Sequence, residues 1–177
     1  MHVTERRVVL ALKYTGKLVR ADEASARVGS LAAMPLQKVL IAVDSEPVAA
    51  HAADVGIELA RELGAEVAFV HVVDTKSDFA LESGISVTER TARLHNDAKR
   101  LLSVFCGHLP EGLKAFEFVQ TGKSAAEIVN TAKQWGANFI VIGCHGRCGI
   151  KRALLGSVAE EVIRHAPCPV LVVKTPC

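Results

Sequence analysis

The sequence predicts an α/β fold, an open five-stranded parallel sheet with helices on both faces. Three observations lead there. Short apolar runs alternate along the chain with longer stretches whose apolar residues recur at helical spacing, the pattern of successive strand and helix units. The runs Val39–Val43, Glu66–Val73, Phe139–Ile142 and Val170–Val173 are apolar at nearly every position rather than every second one, as strands covered on both faces must be. Aromatic residues are 5% of the chain, so Ala, Val, Leu and Ile must fill the core.

The domain proper spans residues 34–177 and opens on the strand Val39–Val43, which ends in Asp44-Ser-Glu-Pro47. A dinucleotide fold places a G-x-G-x-x-G turn after its first strand; no glycine stands here and two carboxylates do, which excludes a conventional NAD or FAD site. Val48–Leu63 reads as a helix with a stripe of Ala52, Val55, Leu59 and Leu63, closed by Gly64 at C′. Gly56 lies inside it and costs about 1 kcal/mol relative to alanine unless close packing requires it. Glu66–Val73 is the second strand; its His71 reads as a satisfied core or interface histidine rather than a ligand.

Asp74–Ser86 reads as a polar loop, and Val87, Thr91, Leu94, Ala98, Leu101 and Phe105 keep a helical stripe that runs to Cys106. The less apolar Leu113–Val119 is a third strand near an edge of the sheet. Thr121-Gly-Lys-Ser124 resembles the end of a P-loop, but that pattern needs a glycine five residues before Gly122, where Glu117 stands. Ser124-x-x-Glu127 instead has the spacing of a capping box before the helix Ala125–Trp135, with Ile128, Val129, Ala132 and Trp135 on one face. Asn138–Ile142 is the fourth strand, and Val170–Val173, set off by Pro167-Cys-Pro169, is the fifth.

Residues 1–33 differ from the rest. They carry six Lys/Arg against three Asp/Glu, net +3, which leaves −1 of the chain's +2 for the remainder. We expect them to be an appendage, either disordered or an artefact of an upstream start codon; Glu5, Asp22 and Glu23 argue against a transit peptide. The remainder has no basic excess to recruit nucleic acid, and no apolar run long enough to span a bilayer. Five cysteines, an odd number in a chain with no recognisable secretory leader, point to reduced thiols and a cytoplasmic protein. The spacings of Cys144, His145, Cys148, His165 and Cys168 fall outside the common zinc patterns.

Between Ile142 and Val170 the chain passes from strand through glycine-rich loop to helix. The loop holds Arg147, Lys151 and Arg152 and no acid, and Ser157-x-x-Glu160 has capping-box spacing that starts the helix at Ser157. Backbone N–H groups and the dipole at such a helix start favour an anion, phosphate above all. In a doubly wound sheet Asp44, Val72 and Gly143, each at or near the carboxyl end of a strand, converge on one crevice.

The spacing Gly143-x2-Gly146-x9-Gly156-Ser157 matches the nucleotide-binding pattern of the universal stress protein family, and from about Leu36 to Lys174 the chain resembles its ATP-binding branch. Cys144 and Cys148 replace residues more often small and polar in that family, and residues 1–33 have no counterpart in its minimal form. The resemblance implies a Rossmann-like fold of that type, with ATP and Mg²⁺ as ligand. By position, Asp44 and the backbone of Val72 would hold adenosine, and Gly143, Gly146, Gly156, Ser157 and Val158 would hold ribose and phosphates. His145 and Arg147 would approach the phosphates, although both also suit a turn and a solvated face. It further implies a dimeric sensor or regulator with an unidentified protein partner, at most a slow ATPase, paired through the uncharged edge strand Val170–Val173. Two other readings stay open: an interaction module that binds no nucleotide, and an adenylate-handling enzyme, although the H-x-G-H signature of nucleotidyl transferases is missing. If residues 1–33 are a start-codon artefact, the intact mass of the native protein will lack them.

Overall fold

The computed structural model describes residues 11–14, 17–20, 37–74, 87–144 and 156–174. Among these residues are seven strands: β1 (Ala11–Tyr14), β2 (Lys17–Arg20), β3 (Lys38–Ala42), β4 (Glu66–Val73), β5 (Ala115–Thr121), β6 (Phe139–Cys144) and β7 (Val170–Lys174). Four helices alternate with the later strands: α1 (Pro47–Leu63), α2 (Val87–Gly107), α3 (Ser124–Trp135) and α4 (Ser157–His165). The five expected parallel strands lie in the order β7-β6-β3-β4-β5. β5, the least apolar, forms one edge, as its sequence predicts.

The sheet is larger than expected, because β1 and β2 form an antiparallel hairpin that extends it beyond β7. Part of the supposed appendage is thus sheet; the remainder of residues 1–33 lies outside the described residues, as does the polar loop expected after Asp74.

Why the central strands are apolar throughout is visible in the division of the core. Val39, Ile41, Val67, Phe69, Val141 and Val173 face one cluster, closed by α1 and by Leu102 of α2. Their neighbours Leu40, Ala42, Ala68, Val70, Ile142 and Val172 face the other, closed by α3 and α4. Strand residues point alternately to opposite faces, so a strand covered twice has no position left for a polar side chain.

Of the expected stripe on α1, Ala52 is buried and Val55 and Leu59 pack half-buried against the core, while Leu63 is exposed; the closest contacts come from small residues, Ala49, Ala52, Ala53, Gly56 and Ala60. Gly56 explains the close approach. A Cβ there would stand 2.7 Å from Ile41 Cδ1 and 2.9 Å from its Cγ1, so any larger residue would force the Ile41 side chain to shift. Gly64 ends the helix at φ 61°, donating to the carbonyls of Ala60 and Arg61, and Gly136 at φ 72° does the same for α3 through Ala132.

The amino ends of β3 and β6 are tied by Asn138, whose Oδ1 accepts the N–H groups of Gln37 and Lys38, each at 3.0 Å. Lys38 Nζ donates to the Trp135 carbonyl at 3.1 Å and lies over its ring. That end of the sheet is closed by direct bonds, and the opposite, carboxyl end is where the chain opens. Gly56→Val is expected to overpack this contact and lower stability by about 1–3 kcal/mol in urea unfolding, with little change in slope.

Candidate functional site

Chain order sets where the cavity lies. From β3 the chain moves outward through β4 to β5, then returns to β6 on the other side of β3 and continues to β7. The crossovers therefore run in opposite directions on either side of the β3–β6 boundary, and beyond the carboxyl ends of those strands the connections part. A cavity of about 280 Å³ occupies that position. Its apolar lining comes from strand ends, Ala42, Val43, Val70 and Ile142, and from Ile128 and Ala159 on the helices.

Three helices begin at this cavity. Val48 and Ala49 of α1, Ser124 of α3, and Ser157, Val158 and Ala159 of α4 all line it, so the first turns of three helices border one region. Each helix start carries about half a positive charge in effect. The cap residues, Glu46, Lys123 and Gly156, make no side-chain cap hydrogen bonds. The two expected capping boxes therefore do not form: Ser124 and Ser157 are the first helical residues rather than the caps, although the predicted start of α4 at Ser157 holds.

Asp44 lies where β3 ends. Its Oδ1 accepts the backbone N–H of Glu46 at 2.9 Å, a turn that carries the chain into Pro47 at the start of α1. One carboxylate oxygen is thus held locally, and the group is exposed at the cavity. His71, on β4, is half-buried, and its Nδ1 lies 2.9 Å from the Val43 carbonyl. A carbonyl only accepts, so Nδ1 carries the proton and ties β4 to the end of β3 beside Asp44. This agrees with the satisfied-histidine reading, and the bond also steadies the neighbouring Val72, which lines the cavity.

The two described glycines of the loop pattern differ in what they do. A Cβ at Gly143 would meet the Val48 carbonyl oxygen at 3.1 Å and Val48 Cγ2 at 3.2 Å, so this glycine lets the first turn of α1 close onto the end of β6. Among the described residues, a Cβ at Gly156 would meet nothing within 4 Å, and the residue has φ −58° and ψ 149°, a backbone conformation open to any side chain. Packing favours glycine at 143, whereas no described atom crowds Gly156.

Of the site residues expected from sequence, Asp44, Val72, Gly143, Gly156, Ser157 and Val158 line this one cavity. His145, Gly146 and Arg147 lie outside the described residues. Sequence reasoning missed Val48, Ala49, Ser124 and Ile128. Ser124 was legible in principle: it begins the helix that follows a parallel strand, the same relation Ser157 has to β6.

Comparison with known proteins agrees with this arrangement. The model of the universal stress protein family matches residues 35–174. Universal stress protein MJ0531 of Methanocaldococcus jannaschii is 38% identical over 141 residues, covering 79% of this chain and 83% of its own. YxiE of Bacillus subtilis, also a universal stress protein, is 32% identical over 151 residues, covering 77% and 98%. Among solved structures, MJ0577 superposes with a TM-score of 0.66 at 28% identity, over 81% of this chain and 99% of its own. A universal stress protein of Archaeoglobus fulgidus, solved in complex with dAMP, superposes with a TM-score of 0.53 at 25% identity, over 80% and 100%.

The thiols around the sheet are held as thiols. Burial raises Cys144, at the end of β6, with Lys174 pulling weakly the other way. Burial pushes Cys168 up to about 11, and burial with a hydrogen bond to Glu117 pushes Cys106 up to about 12. None is a nucleophile near neutrality. Iodoacetamide at about pH 8 should leave all three unlabelled in the folded protein and label them after unfolding, as read by peptide mass spectrometry. The unfolded chain loses these protons from about pH 9 while the folded chain keeps them, so folding stability should fall as pH rises from there.

Proposed function

The chain belongs to the universal stress protein family, and from that premise we propose that it is an ATP-binding sensor or regulator. One observation carries this: a single cavity at the reversal of strand order collects three helix N-termini together with the Asp44 carboxylate. The described lining contains no lysine or arginine, so its positive potential is that of oriented backbone N–H groups. Such groups suit a polyphosphate. Asp44 suits the hydroxyl or amino donors of a nucleoside, and the Val72 backbone would read the base.

The segment 145–155, with Arg147, Lys151 and Arg152, starts and ends beside this cavity, since Gly143 and Gly156 both line it. Its cations, with His145 and Gly146, would complete the phosphate contacts. Mg²⁺ would arrive bound to the phosphates, because Asp44 is the one carboxylate among the described lining residues. Among those residues no nucleophile is paired with a base, so hydrolysis would be slow and the bound nucleotide would act as a signal. Its binding would change the surface shown to a protein partner. Residues 34–177 would form this unit, dimeric through Val170–Val173 when that edge is free.

One observation favours the rival reading, an interaction module without nucleotide. Gly143 is accounted for by helix packing alone, so that part of the glycine pattern needs no ligand. Calorimetric titration of nucleotide-stripped protein with Mg·ATP decides between them. The nucleotide reading expects micromolar affinity in the wild type and none in Gly156→Val, whose side chain has room in the fold but stands at the cavity. Asp44→Ala should weaken ATP and adenosine alike, by about 1.5–3 kcal/mol or tenfold and more. A wild type that binds neither supports the interaction module.

A further inference from the structure

At β7 the parallel sheet would end on an edge unusually open to pairing. Val170, Leu171, Val172 and Val173 are all at most 4% exposed, and the strand has no charge until Lys174. Without a neighbour such a strand presents a row of free N–H and C=O groups on an apolar ribbon, a template for another chain.

The neighbour it has is part of the same chain. β1 lies antiparallel to β7 with Leu12 opposite Leu171, and β2 folds back on β1 through four pairs, from Ala11 opposite Arg20 to Tyr14 opposite Lys17. Only two residues, Thr15 and Gly16, separate Tyr14 from Lys17, the shortest common hairpin connection. The hairpin moves the outer edge from Val-Leu-Val-Val to Lys17-Leu-Val-Arg20, with a cation at each end, and charged edges resist further pairing.

The two attachments are unequal. Within the hairpin four residue pairs are in register; between hairpin and domain there is one, against five between β7 and β6. The hairpin is held to itself better than to the sheet, and an isolated two-stranded hairpin is at best marginally stable in water. By strand pairing, its attachment to the sheet is the weaker of the two.

We propose that residues 11–20 are a displaceable cover of the β7 edge, and that the partner they exclude is a second copy of this chain. β1 demonstrates that the edge accepts an antiparallel strand. A strand paired antiparallel with its own copy lies on a two-fold axis, and that contact closes at the dimer. Covered chains are monomers, and release of the hairpin permits pairing of β7 with β7. The nucleotide site is not part of this inference, and the outcome of ATP titration leaves it untouched.

The test uses the full chain and two variants, Leu12→Pro and Lys13→Pro. Successive amides of a strand point to opposite neighbours, so one of the two prolines removes a donor facing β7 and the other a donor facing β2. Mass is followed by light scattering over a wide range of protein concentration, with hydrogen exchange of the peptide holding residues 170–174. The wild type should stay monomeric with that peptide protected. A hairpin-disrupting variant should show a concentration-dependent dimer, its peptide protected in the dimer and exchanging on dilution.

Several results would overturn the proposal. They are a wild type as dimeric as the variants, variants that stay monomeric while the β7 peptide exchanges freely, and open-ended aggregates without a dimer. A variant that unfolds the domain by circular dichroism also overturns it, since the cover would then belong to the core. So does a native protein whose mass lacks residues 11–20.

Discussion

Burial of both faces of the parallel sheet is the constraint on which the rest of this molecule depends. It forces Val39, Leu40, Ile41 and Ala42 to be apolar in succession, because alternate residues enter different cores. It also requires a helix layer on each side, which the right-handed crossovers supply with α1 and α2 on one face and α3 and α4 on the other. How closely a layer can approach is then set by single residues. At Gly56 the separation is small enough that a Cβ would stand 2.7 Å from the Ile41 side chain.

The cavity is a by-product of the same arrangement. In right-handed parallel units every helix begins at the carboxyl end of the strand before it, so α1, α3 and α4 all start at one end of the sheet. Where the strand order reverses between β3 and β6 their first turns face a common space. An anion-favouring potential arises there from peptide dipoles, without a basic side chain in the described lining. Local bonds then fix the rim: Asp44 through its turn to Glu46, and the ends of β3 and β4 through His71 and the Val43 carbonyl.

The two edges of the parallel sheet are managed differently. On β5, Phe116 is 41% exposed but rests near the Trp135 ring, 5.8 Å between centroids, and Phe118 meets the same ring edge-on. Glu117 supplies a charge and is exposed in the strand itself. β7 has neither device, since its residues are buried on both faces. Its edge is satisfied by another strand, and in this chain the hairpin provides one.

Much of this was legible in the residues themselves. Continuous apolar runs identified β3, β4, β6 and β7, helical spacing marked α1 and α3, Gly64 closed α1, and the order of elements implied the parallel sheet. Asp44, Val72 and Gly143 were expected in one crevice because each lies at or near the carboxyl end of a strand, and the family resemblance added Gly156 and Ser157. The role of Gly143 was not legible, since a glycine needed for a ligand and one needed to admit Val48 look alike in one dimension. The place of Ser124 was overlooked because its capping-box spacing suggests a cap, although it begins a helix after a parallel strand just as Ser157 does. The hairpin escaped for another reason: two four-residue strands carry too little periodicity to be read alone, and their meaning lies in an edge more than 150 residues away. Periodicity and end signals, which act over a few residues, were thus determined by the sequence itself; close approach, shared cavities and edge pairing were decided by the tertiary structure, because each depends on distances between residues remote in the chain.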